Sequence, residues 1–96
     1  MIQSFADATS ADLFRERNTR AARRIPRQLW RISQRKLKLI DAAGRLDDLV
    51  VPAGNRLELL KGDQVGRHSL RVNEQYRIAF RWENGHAHEV RVEDYH

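Results

Sequence analysis

The sequence contains no cysteine, and it has only two prolines and five glycines among its 96 residues. Without cysteine, neither a disulfide framework nor a thiolate metal site is possible. No apolar run approaches the roughly 20 residues that a membrane-spanning helix needs. The first seven residues, Met-Ile-Gln-Ser-Phe-Ala-Asp, have neither a basic segment nor an apolar core, so we expect no signal peptide and a cytoplasmic location.

Positive charge is the main compositional feature. Eighteen lysines and arginines against 13 aspartates and glutamates give a formal net charge of +5. This balance suggests an acidic partner, with nucleic acid first, although many small basic domains are merely soluble and bind none. The length and the apolar share of 41% predict one globular domain over residues 1–96.

The first half of the chain predicts a strand followed by two helices. Residues 1–5 form the expected strand, and Thr9 with Asp12 predicts a capping box for a helix that runs to about Arg17. Pro26 suits the first turn of the second helix, and Gly44 is placed to end it. The helical repeat predicts one apolar face for this helix, made of Leu29, Ile32, Leu39, Ile40 and Ala43. Lys36 falls within that face, so its stem should lie along the core while its ammonium reaches out to solvent.

Residues 67–82 alternate between apolar and polar side chains, which predicts two strands joined near Asn73. The apolar face consists of Leu70, Val72, Tyr76, Ile78, Phe80 and Trp82. The other face carries Ser69, Arg71, Arg77, Ala79 and Arg81. A loop over residues 73–75 pairs Val72 with Tyr76, so the apolar side chains of the two strands meet.

A second hairpin follows at Asn84-Gly85. A two-residue turn would set Ile78 opposite Arg91, whereas a three-residue loop pairs Ile78 with Val90, so we predict the longer loop. That register places Arg71, Arg77 and Arg91 side by side. Like charges in such a row are destabilising, which indicates an anion site. Alternatively, the side chains could splay into solvent or pair with Glu89 and Glu93.

Basic residues also cluster on the second helix, opposite its apolar face. The stripe consists of Arg27, Arg31, Arg35 and Lys38. It lacks interleaved acids, which favours contact with a phosphate backbone over a merely solvated face. The ending Glu93-Asp94-Tyr95-His96 offers groups for proton transfer, and strict alternation puts Tyr95 on the arginine face. His86 and His88 share a face but flank a turn, so we expect no metal site.

The predicted element order and three segments of the sequence resemble the RelE-like bacterial toxins, in particular the HigB "killer protein" branch. The similarity extends over essentially the whole chain, including Ile2-x-Ser4-Phe5 at its start. The matching segments are Asn55-Arg56-Leu57-Glu58-x-Leu60-Lys61-Gly62-Asp63, Gly66-x-His68-Ser69-x-Arg71-Val72-Asn73-x-Gln75-Tyr76-Arg77-Ile78 and Val92-Glu93-Asp94-Tyr95-His96. The resemblance implies an α+β RelE-like fold of order β-α-α-β-β-β, with two N-terminal helices on one face of a small, mainly antiparallel sheet.

The resemblance also implies a type II toxin that cleaves mRNA in the ribosomal A site without metal or cofactor. Its partners would be the ribosome, mRNA and a HigA-like helix-turn-helix antitoxin, and operator DNA would be reached only through the antitoxin complex. The implied catalytic residues are Lys61, Arg77, Asp94, Tyr95 and His96. Arg77 and Lys61 would stabilise the charge on the phosphorane, and Tyr95 or His96 would move protons. Arg67, Arg71, Arg91 and the helical stripe would bind RNA.

One position departs from the family pattern, because Glu58 stands where some members have histidine. A carboxylate there could accept the 2′-hydroxyl proton, repel the phosphate or form an ion pair with Lys61.

Two other functions remain open at this point. The chain could be a basic module that blocks translation by occupying ribosomal RNA, or a DNA-binding corepressor, although the sequence shows no helix-turn-helix.

Overall fold

Two helices cover one face of a four-stranded antiparallel sheet in the computed structural model, which describes residues 1–95. The helices are α1 (Ala8–Phe14) and α2 (Trp30–Ala42), and the strands are β1 (Glu58–Leu59), β2 (Arg67–Arg71), β3 (Tyr76–Glu83) and β4 (His86–Asp94). The strands lie in the order β1-β2-β3-β4. This architecture confirms the predicted α+β class. None of the helices described is long and apolar enough to cross a bilayer.

The hydrophobic core lies between the helices and the inner face of the sheet. Leu70, Ile78 and Phe80 from the sheet meet Leu37 and Ile40 from α2, and all five are fully buried. Because successive side chains of a strand point to opposite faces, Ser69, Arg71 and Arg77 must lie on the outer face, away from the helices. The helices therefore cover the inner face of the sheet, while its outer face remains available for a site.

The first residues form an extended segment along β4 and do not form a separate strand. Ile2 and Phe5 make isolated parallel bridges to Ala87 and Val90. The amide of Gln3 donates to the carbonyl of Ala87 at 2.8 Å. The predicted first strand is thus reduced to bridges, and the fourth strand of the sheet is the short β1, which pairs with β2.

Helix α1 starts and ends earlier than predicted. Its N-cap is Asp7, whose Oδ1 accepts a hydrogen bond from the Ser10 amide at 2.8 Å. Asp7 has the extended backbone that an N-cap requires, whereas Thr9 is already helical and donates its hydroxyl to the Ala21 carbonyl. The predicted capping box at Thr9 and Asp12 is therefore wrong.

The end of α1 at Phe14 is a Schellman motif centred on Glu16. The amide of Arg17 donates to the Asp12 carbonyl at 2.9 Å, and the amide of Glu16 donates to the Leu13 carbonyl at 3.0 Å. This closure requires a left-handed residue, and Glu16 adopts φ of 59°. The helix thus ends three residues before the predicted position. The end was not predicted because the left-handed position holds a glutamate, and no glycine or asparagine marks it in the sequence.

Helix α2 follows Pro26 and a single 3₁₀ turn at Arg27–Leu29. Its buried face is centred on Trp30, Ser33, Leu37 and Ile40, whereas Leu39 is 37% exposed. The predicted apolar face was therefore rotated, and Leu39 was wrongly included. Trp30 fills the core, and its indole Nε1 donates to the Ile25 carbonyl at 2.8 Å. The buried face of the helix therefore includes Trp30 and leaves Leu39 at the surface.

Lys36 is buried on α2, with its stem along the core as predicted. Its ammonium was predicted to reach out to solvent, but it donates to the backbone carbonyl of Arg71 at 2.6 Å, and the residue is only 7% exposed. Burial lowers the pKa of Lys36 from its usual value, and the charges of Arg35 and Arg71 lower it further. This bond connects the helix layer to the end of β2.

The β2–β3 hairpin has the predicted register. Leu70 lies opposite Ile78, and Arg71 lies opposite Arg77. The side chain of Asn73 closes the loop, because its Oδ1 accepts from the amides of Gln75 and Tyr76 at 2.9 and 2.7 Å.

The predicted three-residue loop between β3 and β4 is wrong. Glu83 pairs with His86 across a two-residue turn whose residues, Asn84 and Gly85, both have positive φ. A β-bulge then inserts one residue into β4 at Glu89, which has φ of 53°. The bulge shifts the register so that Ile78 faces Val92. The hairpin can therefore have both a two-residue turn and apolar residues facing each other across the two strands.

Replacing Glu16 with glycine should stabilise the protein. A left-handed backbone costs an L-residue about 1 kcal/mol, and glycine adopts it without that cost. We therefore expect Glu16→Gly to raise the free energy of unfolding by about 1 kcal/mol, and Tm by roughly 4–8 °C for a domain of this size. Thermal and urea unfolding would measure both.

The matched control is Glu16→Gln, which also removes the exposed ion pair of Glu16 with Lys38 but keeps a side chain at the left-handed position. An exposed pair of this kind contributes little, so the control should unfold close to wild type. Equal stabilities of the glycine and glutamine variants would contradict the strain at Glu16.

Candidate active site on the outer sheet face

A hollow of about 240 Å³ opens on the outer face of the sheet, at the end where β4 finishes. It is lined by Arg56, Glu58, Ser69, Arg71, Arg77 and Tyr95. Four of these were predicted as site residues, and β1, β2, β3 and the end of the chain each contribute. Three guanidinium groups against one carboxylate give the lining a positive charge that suits a phosphate group.

Arg71 and Arg77 lie directly opposite each other on β2 and β3. Arg77 is compensated by Glu93, since its Nε donates to Oε2 at 2.8 Å and its Nη2 lies 2.8 Å from the same oxygen. The ring of Tyr95 lies 5.0 Å from the Arg77 guanidinium carbon. Arg71, by contrast, makes no ion pair with any residue among 1–95. Its charge is therefore available to a bound anion.

The predicted row of three arginines is wrong in its third member. Because of the bulge at Glu89, Arg91 lies opposite Ala79, and Glu93 takes the position opposite Arg77. Arg91 points to a neighbouring part of the surface, where its Nε lies 3.5 Å from Asp7. The row across the sheet is thus Arg71, Arg77 and Glu93, and it carries one compensating carboxylate.

The end of the chain is anchored to the β2–β3 loop. The Asp94 carboxylate accepts a hydrogen bond from Gln75 Nε2 at 2.7 Å. The amide of Tyr95 donates to the Gln75 carbonyl at 3.0 Å, and its hydroxyl lies 3.4 Å from the Asn73 carbonyl. These bonds place Tyr95 at the hollow. The predicted catalytic residue His96 lies outside the described residues.

Glu58 and Lys61, two other predicted catalytic residues, are placed differently. Glu58 pairs with Ser69 across β1 and β2, and its side chain lines the hollow. Lys61 is exposed in the turn after β1 and is not part of the described lining. No ion pair joins the two side chains, so the carboxylate of Glu58 is not tied up by Lys61.

Two residues of the lining, Arg56 and Ser69, were missed as site residues by sequence reasoning. Arg56 follows a 3₁₀ turn with φ of 46°, which directs it out of an irregular segment that has no periodic pattern. The buried Asn55 holds this segment, since its Nδ2 donates to the Leu49 carbonyl at 3.3 Å. Ser69 had a usable signal, because alternation already put it on the face of Arg71.

A second hollow, of about 520 Å³, lies on the same face nearer the N-terminus. It is lined by Phe5, Ala6, Asp63, Gln64, Arg67, Glu89, Arg91 and Glu93. Arg67 donates to the Glu89 carbonyl at 2.7 Å and to its carboxylate at 3.1 Å. The predicted RNA-binding residues Arg67 and Arg91 are thus both paired with acids. Glu93 forms part of the boundary between the two hollows.

The basic stripe predicted for the second helix lies on the other side of the molecule, with Arg27 in the 3₁₀ turn before α2 and the other three members on α2. Its four members, Arg27, Arg31, Arg35 and Lys38, are all exposed. Arg27 covers the ring of Trp30 at 4.5 Å, and Lys38 lies 3.7 Å from Glu16. Since α2 packs on the inner face of the sheet, the stripe and the hollow form two separate basic surfaces.

His68 is half-buried against Phe80, with the ring centroids 6.3 Å apart. Burial lowers the pKa of His68 below its usual value, which favours the neutral ring. Residues 1–95 contain no group of three or more histidine, cysteine, aspartate or glutamate side chains arranged to hold a metal ion.

The same architecture occurs in known toxins. The chain aligns over its whole length with 98% of a chain of the YoeB–YefM complex from Staphylococcus aureus, at a TM-score of 0.60 and 16% identity. The heterotetrameric YoeB–YefM toxin–antitoxin complex from the same organism matches equally well. At this identity the comparison shows a shared RelE-like fold.

Sequence comparison gives the family. Toxin HigB-1 from Vibrio cholerae serotype O1 is 46% identical over 65 residues, which is 68% of either chain. An uncharacterised protein from Haemophilus influenzae is 37% identical over 67 residues, or 70% of this chain and 66% of that one. The family of the "RelE-like toxin of type II toxin-antitoxin system HigB" matches residues 3–96. The chain therefore belongs to the HigB-like toxins of type II toxin–antitoxin systems.

Proposed function

We propose that the protein is a ribosome-dependent endoribonuclease that cleaves translated mRNA in the ribosomal A site. The observation that carries the proposal is the opposed pair Arg71 and Arg77, which lines one hollow together with Tyr95. Two adjacent guanidinium groups on neighbouring strands disfavour each other unless an anion lies between them. A phosphate of the RNA backbone satisfies both, and arginine binds it through paired hydrogen bonds.

The reaction follows from the groups in the hollow. The 2′ oxygen of RNA attacks the phosphorus while the bond to the 5′ oxygen breaks, which leaves a 2′,3′-cyclic phosphate and a 5′-hydroxyl. A base must take the 2′-hydroxyl proton, and an acid must deliver a proton to the leaving oxygen. Arg71 and Arg77 stabilise the additional charge on the phosphorane. No step of this reaction requires a metal.

The proton carriers come from opposite sides of the hollow. Glu58 on β1 supplies a carboxylate that can accept the 2′-hydroxyl proton, and Tyr95 lies next to Arg77 across the hollow. His96 and Asp94 belong to the same end of the chain and are assigned to this group through the family resemblance. Lys61 lies near β1 on an exposed turn, from which its long side chain contributes charge when RNA is bound.

The proposed partners follow the family. A cognate HigA-like antitoxin neutralises the toxin, in line with toxin–antitoxin complexes of the same fold. The antitoxin brings its own helix-turn-helix to operator DNA, and the toxin acts on ribosomes in the cytoplasm. The alternative function, translational block by occupancy, depends on the α2 stripe alone. Because Arg27 and Lys38 already have intramolecular partners, this alternative has weaker support.

Loss of Arg77 should abolish toxicity. Removing one preorganised donor that stabilises charge in the transition state lowers a rate by about 10²- to 10³-fold. We expect expression of Arg77→Ala to permit growth and to leave translated messages without new 5′-hydroxyl ends. Removal of His96 should act in the same direction.

The matched control is Arg45→Ala, since Arg45 is highly exposed and pairs only with Asp47, away from the hollow. It should arrest growth and cleave mRNA like wild type. Growth arrest without 5′-hydroxyl ends in wild type would favour occupancy, and full toxicity of both site variants would refute the catalytic assignment.

Arg71→Thr should bind RNA more weakly yet fold more stably. The variant removes one of two opposed like charges, a pairing that costs about 0.2–1 kcal/mol, and threonine suits a strand. It also removes a phosphate contact, so the salt dependence of RNA binding should weaken by about one unit of slope. Unfolding and salt-titrated binding to single-stranded RNA would test both parts.

Arg45→Thr serves as the control for this pair of measurements. If Arg71→Thr lowers stability while Arg45→Thr leaves it unchanged, the Arg71 side chain stabilises the fold, and its charge is not held unpaired for an anion. If the salt slope is unchanged, Arg71 does not contact phosphate.

A further inference from the structure

Glu93 makes a cluster of contacts that the proposed chemistry leaves unused. Its Oε2 receives the Nε of Arg77 at 2.8 Å and the Nε2 of Gln64 at 3.0 Å, and the Nη2 of Arg77 also lies 2.8 Å away. The carboxylate is only 11% exposed, so these contacts are screened from water. A single oxygen thus holds one edge of the Arg77 guanidinium, while Gln64 holds that oxygen.

The contacts leave the other edge of Arg77 open. A guanidinium has five N–H groups in one plane, and the edge formed by Nε and Nη2 faces Glu93. The remaining edge, formed by Nη1 and Nη2, matches the two oxygens of a phosphate. Within residues 1–95, Nη1 has no hydrogen-bond partner, and the ring of Tyr95 lies beside the guanidinium.

We infer that Glu93, held by Gln64, is a positioning residue that fixes the guanidinium of Arg77 for the scissile phosphate. The inference rests on the proposed nuclease function and adds a role for two residues that do not touch the RNA. Arginine side chains are long and flexible, and a guanidinium held in advance loses little conformational entropy when it binds. The pairing weakens the net charge of Arg77, and Arg56 and Arg71 supply the remaining attraction for RNA.

Glu93 could also have the opposite role, and the two roles predict changes of kcat in opposite directions. If Glu93 instead competed with phosphate for Arg77, removal of the carboxylate would release a cation and raise activity. If Glu93 positions Arg77, its removal lowers turnover and leaves binding of RNA nearly unchanged. The sign of the change in kcat separates these two roles.

The experiment measures kcat and KM for cleavage of translated mRNA by the full chain. For Glu93→Ala we expect kcat to fall by about 100-fold, the scale of a 1 Å misplacement, with KM close to wild type. In the Arg77→Ala background the same substitution should cause no further loss, because it acts through Arg77. Glu83→Ala, which breaks the Arg81–Glu83 pair on the same sheet, is the control and should cleave normally.

A second variant and a spectroscopic measurement distinguish loss of the Arg77 position from unfolding of the protein. Gln64→Ala removes one contact from a surface turn and should lower kcat in the same direction by a smaller factor. The Nε–H of Arg77, followed by nitrogen NMR, should exchange slowly with water in wild type and lose that protection in Glu93→Ala. Thermal unfolding of each variant would show whether the fold is retained.

Each outcome decides a separate point. A rise in kcat for Glu93→Ala, or independent losses in the double variant, would overturn the positioning role. Absence of cleavage by wild type would refute the proposed function, while the exchange of the Arg77 Nε–H would still show whether Glu93 holds the side chain. Unprotected Nε–H in wild type would overturn the inference in either case.

Discussion

The register of β4 on β3 decides which charges meet on the outer face of the sheet. A tight turn at Asn84-Gly85 alone would pair Arg91 with Ile78, and the bulge at Glu89 moves β4 by one residue. That shift brings Glu93 opposite Arg77 and Arg91 opposite Ala79. The left-handed backbone at Glu89 therefore determines the electrostatics of the site, although Glu89 itself lines only the neighbouring hollow.

The helix layer and the site are connected through Lys36. Its buried ammonium crosses the core from α2 and binds the carbonyl of Arg71, whose side chain lies on the other side of the sheet. The bond fixes the end of β2 without using the guanidinium of Arg71. The positive charges of Lys36 and Arg71 also repel each other, so a negative charge next to Arg71 would be favourable. The packing of α2 and the position of Arg71 are therefore coupled through one strand end.

Much of the fold could be predicted because several local signals agreed. Alternation and the loop at Asn73 both specified the register of β2 and β3, so Arg71 and Arg77 were placed correctly. The end of α1 and the register of β4 could not be predicted, because they depend on Glu16 and Glu89 in a backbone conformation that glycine or asparagine usually marks. For the site, alternation predicted the arginine face with Tyr95 on it, family resemblance added Glu58, and the irregular segment before β1 concealed Arg56.

The position of the first six residues has a consequence for the order in which the chain can fold. They lie against β4, which follows β1, β2 and β3 in the sequence, and the amides of Ala87 and Val90 donate to the carbonyls of Met1 and Ser4. Their pairing also covers the long edge of β4, so that an unpaired strand is not offered to other chains. Residues 1–6 can therefore take up their place only after β4 has been translated, and a chain translated only as far as β3 has neither the complete sheet nor the carboxylate that holds Arg77.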